Sequence, residues 1–292
     1  MPVNRATLGL SNFPRYQEIT KWRLSDAVLC VVFSLVNNAI ANAEPFQRQF
    51  FLADLTISHP HAETQRVGST ALLMYSLVLP AVVICCFTLL VADAKHKPYL
   101  LYISLLGLAL SWSTTSLVTD YLKNWIGRLR PDFLARCRPR DGIPGHVLVT
   151  AAEVCTTSNL PKLMDGFRTT PSGHSSESFA GLGYLYLWLC GQLLTDLPQV
   201  GSWRKCLASV PLLIATTVAL SRTEDYRHHF VDVIIGSCLG MAIAFWAYHR
   251  NFPSISSPIP FKPVLDDTDV TLELGKSEFK PLNDEEENST AN

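Results

Sequence analysis

Six stretches of the chain contain no Asp, Glu, Lys or Arg: 27–43, 67–92, 99–119, 178–195, 206–221 and 233–248. A helix that crosses the hydrocarbon core of a bilayer needs about 17–25 mostly apolar residues, rising 1.5 Å each. The two longest stretches, 26 and 21 residues, meet that length outright. The shorter ones stop at charged residues that recur in the motifs below. The pattern predicts an all-α, polytopic membrane protein with six transmembrane helices between residues 24 and 250. Segment 1–23 precedes them on the cytoplasmic side. In the first stretch Asn37, Asn38 and Asn42 dilute the apolar run, and Ala41-Asn42-Ala43 has the look of a signal-peptide cleavage site. The long preceding region, with Arg5, Arg15, Lys21 and Arg23, instead suits an uncleaved first span with a cytoplasmic N-terminus.

Six spans place both ends of the chain on one side of the membrane and put the connections 44–66, 120–177 and 222–232 on the other. Short turns carrying Lys95/Lys97 and Arg204/Lys205 agree with this orientation. The cation-rich segment 120–177 votes against it, but several of its cations belong to a motif. Beyond residue 250, Pro253, Pro258, Pro260 and Pro263 and the acidic run Asp284-Glu285-Glu286-Glu287 predict a disordered cytoplasmic tail over 251–292. The sequon Asn288-Ser289-Thr290 would matter only on a luminal tail.

Composition narrows the classes. Apolar residues make up 48% of the 292-residue chain and charged ones only 17%. That excludes a disordered chain, a collagen-like repeat and an ordinary soluble enzyme. The formal charge is −1, so no basic field exists to attract nucleic acid. Cys30, Cys85, Cys86, Cys190 and Cys238 fall within spans as packing residues, and Cys206 at the edge of one. Cys137 and Cys155 share the connection 120–177, where a disulfide is chemically permitted and a free pair equally so. No cysteine spacing matches a zinc site.

Three clusters carry the chemistry. Lys123, Arg130 and Pro131 follow the third span; Pro171-Ser172-Gly173-His174 opens the fourth; Ser221, Arg222, His228 and Asp232 join the fifth to the sixth. The expected topology puts all three on one membrane face. Cations at span ends often only anchor a helix at the interface. Here, even after Asp120, Asp132, Glu224 and Asp225 neutralise some, those gathered on this face point to an external anion. Phosphate fits, with bidentate donors from Arg and a point charge from Lys. At a helix start Ser172 can cap and Gly173 lets backbone approach a ligand, although the tetrapeptide reads equally as a plain cap. His228 and Asp232 are four apart, which on a helix puts the carboxylate against one ring nitrogen and leaves the other as an oriented lone pair. His229 lacks that relation and reads as structural.

These clusters resemble the type 2 phosphatidic acid phosphatase (lipid phosphate phosphatase) superfamily, whose signature is K-x6-R-P, P-S-G-H and S-R-x5-H-x3-D. All eleven fixed positions are present in order and at the family spacing. Segments 130–137 and 225–232 are most similar to fungal diacylglycerol pyrophosphate phosphatases. The resemblance implies a PAP2-type helical bundle and a two-step phosphoryl transfer with no metal and no cofactor. His228 would be the nucleophile, Asp232 its orienting partner, and His174 the acid and then the base. Lys123, Arg130, Ser172, Gly173 and Arg222 would hold the phosphate. It further implies a bilayer-resident lipid phosphate as substrate, diacylglycerol pyrophosphate or phosphatidate first and lysophosphatidate after them. Sphingoid-base and polyprenyl phosphates are alternatives. The site would face away from the cytoplasm, in the vacuole, Golgi, endoplasmic reticulum or at the plasma membrane. Competing readings are a vanadium haloperoxidase of the same fold, a non-catalytic relative and a transporter.

Overall fold

The computed structural model describes residues 7, 10, 13–92 and 94–267. In chain order its elements are α1 (Tyr16–Lys21), α2 (Leu24–Ala41), β1 (Phe50–Phe51), α3 (Ser69–Leu73), a π-helical turn (Met74–Val78), α4 (Leu79–Val91), α5 (Lys97–Ile126) and α6 (Phe133–Cys137). There follow β2 (Leu148–Val149), α7 (Ala151–Val154), α8 (Leu160–Asp165), α9 (Gly173–Gln192), α10 (Trp203–Glu224) and α11 (Phe230–Asn251).

Among the described residues, five helical segments are long and apolar enough to cross a membrane: Leu24–Ala41, Ser69–Val91, Lys97–Ile126, Trp203–Glu224 and Phe230–Asn251. The sixth expected span forms α9, a 20-residue helix, which falls outside that group. The reason lies in its surroundings. It packs on α5, α10 and α11, and Ser175, Ser176, Ser178, Gly181 and Gly183 are all buried along it. A helix surrounded by protein has no need of lipid-facing apolar side chains. Gly181 shows how close the approach is, since a Cβ there would sit 1.6 Å from the carbonyl oxygen of Ser76 in the π-helical turn. The main core, around Trp188, Tyr184, Tyr248, Ile84 and Ile103, fills the half of the bundle away from the three motifs.

The segments 42–68, between α2 and α3, and 127–172, between α5 and α9, form a single cap. Antiparallel β1 and β2 pair Phe50 with Val149, and Phe133 packs edge-on against both Phe50 and Phe167. Cys137 and Cys155 are bonded to each other. At the opposite end of the bundle Arg250 reaches Asp26 at 3.1 and 3.2 Å.

The expected disordered tail needs correction over its first part. Residues 252–267 lie against the bundle: Phe252 is buried and stacks on Tyr248, Ile255 packs on the core, and Lys21 pairs with Asp267 at 2.6 Å. Phe252, Ile255, Ile259, Phe261, Val264 and Leu265 fall within these sixteen residues, so this part has apolar surface to bury although the whole tail averages polar. The acidic run 284–287 and the sequon 288–290 lie outside the described residues.

Candidate active site

The three motifs meet under the cap in a cavity of about 440 Å³. Lys123 comes from the last turn of α5, Arg130 from the loop after it, and Gly173 and His174 from the first turn of α9. Arg222 comes from the last turn of α10 and His228 from the α10–α11 loop. Residues separated by about a hundred positions thus line one cavity. Ser172 and Asp232, also expected at the phosphate or the nucleophile, do not line it.

His228 is almost fully buried. Its Nδ1 lies 2.7 Å from the backbone carbonyl oxygen of Thr169 and 3.2 Å from Thr169 Oγ1. The carbonyl can only accept, so Nδ1 carries the proton and Nε2 is left with its lone pair. Arg130 Nη1 stands 3.4 Å from that Nε2. Burial, followed by the charges of Arg130, Lys123 and Arg222, holds the imidazole pKa well below its ordinary 6.5. The ring is neutral, oriented and surrounded by cations.

The orienting group is therefore not Asp232, and the helical spacing argument fails for a local reason. His229 is the extended N-cap of α11 (φ −76°, ψ 158°), so His228 lies before the helix begins. Asp232 instead completes a capping box with His229, accepting from its backbone N–H at 2.8 Å and lying 3.0 Å from its Nδ1. It also accepts from Thr169 Oγ1 at 2.8 Å and from Thr170 Oγ1, and pairs with Arg128 at 3.1 Å. Asp232 thus fixes the Thr169–Thr170 segment whose carbonyl holds His228. His229 is the imidazole in direct contact with the carboxylate.

His174 Nε2 lies 3.0 Å from the carbonyl oxygen of Val67, which also accepts from Arg222 Nη1 at 3.1 Å. Arg222 donates further to Gln65 Oε1 at 3.1 Å, and its buried Nε has no partner among the described residues. Gly173 admits Lys123: a Cβ at that position would meet Lys123 Nζ at 2.7 Å. Ser172 accepts from Ser175 N and donates its own N–H to the carbonyl oxygen of Asp232, so it caps α9 rather than facing the cavity.

Several neighbours had no motif to mark them. Asp165 accepts from Arg130 Nη2 and Arg136 Nη1, each at 2.8 Å. Withdrawal from bulk water alone would raise its carboxyl pKa, but Arg130 and Arg136 outweigh this and hold it far below the usual carboxylate range. Arg136 in turn donates to buried Asp132, which His61 meets on its other oxygen. Gln65, Glu177 and Arg227 also line the cavity. Gln65 and Val67 come from the segment between α2 and α3, which carries no signature of its own. Among the described residues no group of three or more His, Cys, Asp or Glu side chains is placed to hold a metal ion.

Residues 104–255 match the family described as the PAP2 superfamily. The chain is 56% identical to "Diacylglycerol pyrophosphate phosphatase 1" of Saccharomyces cerevisiae, over 91% of this chain and 94% of that one. It is 42% identical to "Probable diacylglycerol pyrophosphate phosphatase 1" of Schizosaccharomyces pombe, over 72% and 74%. With "Lipid phosphate phosphatase 2" of Arabidopsis thaliana the identity is 36%, over 81% and 78%.

Proposed function

The chain belongs to the PAP2 superfamily, and from that premise we propose that it is an integral-membrane lipid phosphatase acting on diacylglycerol pyrophosphate and phosphatidate through a phosphohistidine on His228. Residues 24–250 form its catalytic domain. The observation that carries the reading is the unprotonated Nε2 of His228, approached by Arg130 Nη1, in a cavity lined by Lys123, Arg130 and Arg222.

In the first step His228 Nε2 attacks the terminal phosphorus and the bond to the leaving oxygen breaks. His174 acts here as an imidazolium beside the bound phosphate: it gives that oxygen one of its two protons and is left as the neutral imidazole. In the second, His174 takes a proton from water, whose oxygen displaces the histidine and frees inorganic phosphate. Such acid–base help is worth about 10²–10⁴ in rate. Lys123, Arg130 and Arg222 stabilise charge on the phosphate oxygens through both steps, the task a metal performs in other phosphoryl transfers.

The substrate reading rests on the relatives' names and on a site set among membrane-spanning helices, which suits a phosphate head whose acyl chains stay in lipid. A non-cytoplasmic site agrees with the Cys137–Cys155 bond in the cap, since disulfides persist in oxidising compartments. His228→Ala should abolish phosphate release from both lipids while the protein still inserts and folds. Substantial residual turnover would overturn the nucleophile assignment.

A further inference from the structure

Glu177 stands out because it is a carboxyl group inside a cavity built for anions. It follows His174 by three residues, so both lie on one face of α9 and both line the cavity. Ser116 Oγ donates to its Oε1 at 3.2 Å. Among the described residues, no other hydrogen bond to Glu177 is seen.

Its depth follows from the helices. On α5, Ser116 precedes Lys123 by seven residues, about 10 Å of helical rise. On α9, Glu177 likewise lies further into the bundle than His174. Glu177 therefore sits on the membrane side of the cationic cradle, where Leu72, Leu73 and Trp112 supply the apolar part of the wall. A lipid phosphate held at His228 must extend this way, because its acyl chains remain in the bilayer.

We propose that Glu177 is a specificity-determining residue whose carboxylic acid donates a hydrogen bond to the second phosphate of a diphosphate lipid, between the scissile phosphate and the glycerol. The inference rests on the lipid phosphatase reading above. Ser116 occupies Oε1, which leaves Oε2–H as the donor. An ionised carboxylate and a phosphate cannot share a low-dielectric wall without strong repulsion, whereas an acid and a phosphate share one proton. A monophosphate lipid presents a neutral ester at this place and gains much less.

The test compares kcat/KM for diacylglycerol pyrophosphate and phosphatidate with identical acyl chains, in mixed micelles with the full-length protein. Glu177→Leu should lower the diphosphate-to-monophosphate ratio by about 10-fold or more, the worth of one hydrogen bond to a charged group. Glu177→Gln keeps an N–H donor and should hold the ratio near that of the parent. Should Glu177→Leu fail to fold, Glu177→Asp, with the acid drawn back by one methylene, must lower the ratio in its place. Equal losses on both lipids, an unchanged ratio, or a Gln variant as impaired as the Leu variant would each overturn the inference. A parent protein that releases phosphate from neither lipid would overturn the functional reading itself.

Discussion

At the scale of single residues, the backbone carbonyl of Thr169 does what a carboxylate was expected to do. It holds the Nδ1 proton of His228 and aims Nε2 into the cavity. Asp232 acts one step further out by bonding both threonine hydroxyls and His229. The motif positions were readable from their spacing, but not the partner of each, because an i, i+4 contact presumes a helix and His228 precedes one. Burial and neighbouring cations keep this imidazole neutral, which fixes the sign of a pH effect. A depressed pKa preserves the lone pair on acidification, so protonation of His228 should cut kcat/KM only well below pH 6.5. A pH–rate profile of the free enzyme reports this directly. An acid limb assigned to His228 at or above 6.5 would contradict the burial that the structure gives it.

At the scale of elements, the cap is held by one short β-pair, three edge-on phenylalanines and one disulfide. Residues 137 and 155 enclose an 18-residue separation, and closing a loop of this size restricts the unfolded chain by about 3 kcal/mol. Replacing both cysteines with serine should lower the unfolding temperature measurably in detergent. The same cap supplies Arg130, Thr169 and Asp165, so activity should decline before the helical bundle melts. Loss of activity only together with bundle helicity would show that the cap has no separate stability. The two sulfurs shared a connection in the sequence, where pairing was chemically open. The fold of the cap around Phe133 brought them together.

For the molecule as a whole, the balance of charge in the cavity leads to a prediction about metal. Lys123, Arg130, Arg222 and Arg227 line it beside the carboxylate of Asp165, which leaves a surplus of positive charge able to offset a phosphate without a divalent ion. Phosphate release should therefore continue undiminished in excess chelator, and a strict magnesium requirement would contradict the proposed mechanism. The helical class, the five apolar spans and the three clusters follow from composition and spacing, because the bilayer imposes length and hydrophobicity on each such span separately and the motifs are short and local. Glu177, Asp165, Gln65 and the Val67 carbonyl obey no such local rule. They reach the cavity through packing between segments far apart in the chain, as when α9 buries its serines and glycines against its neighbours and the segment between α2 and α3 folds over His174 and Arg222. Contacts of that kind depend on which surfaces exclude lipid and water together, and a linear reading contains no term for them.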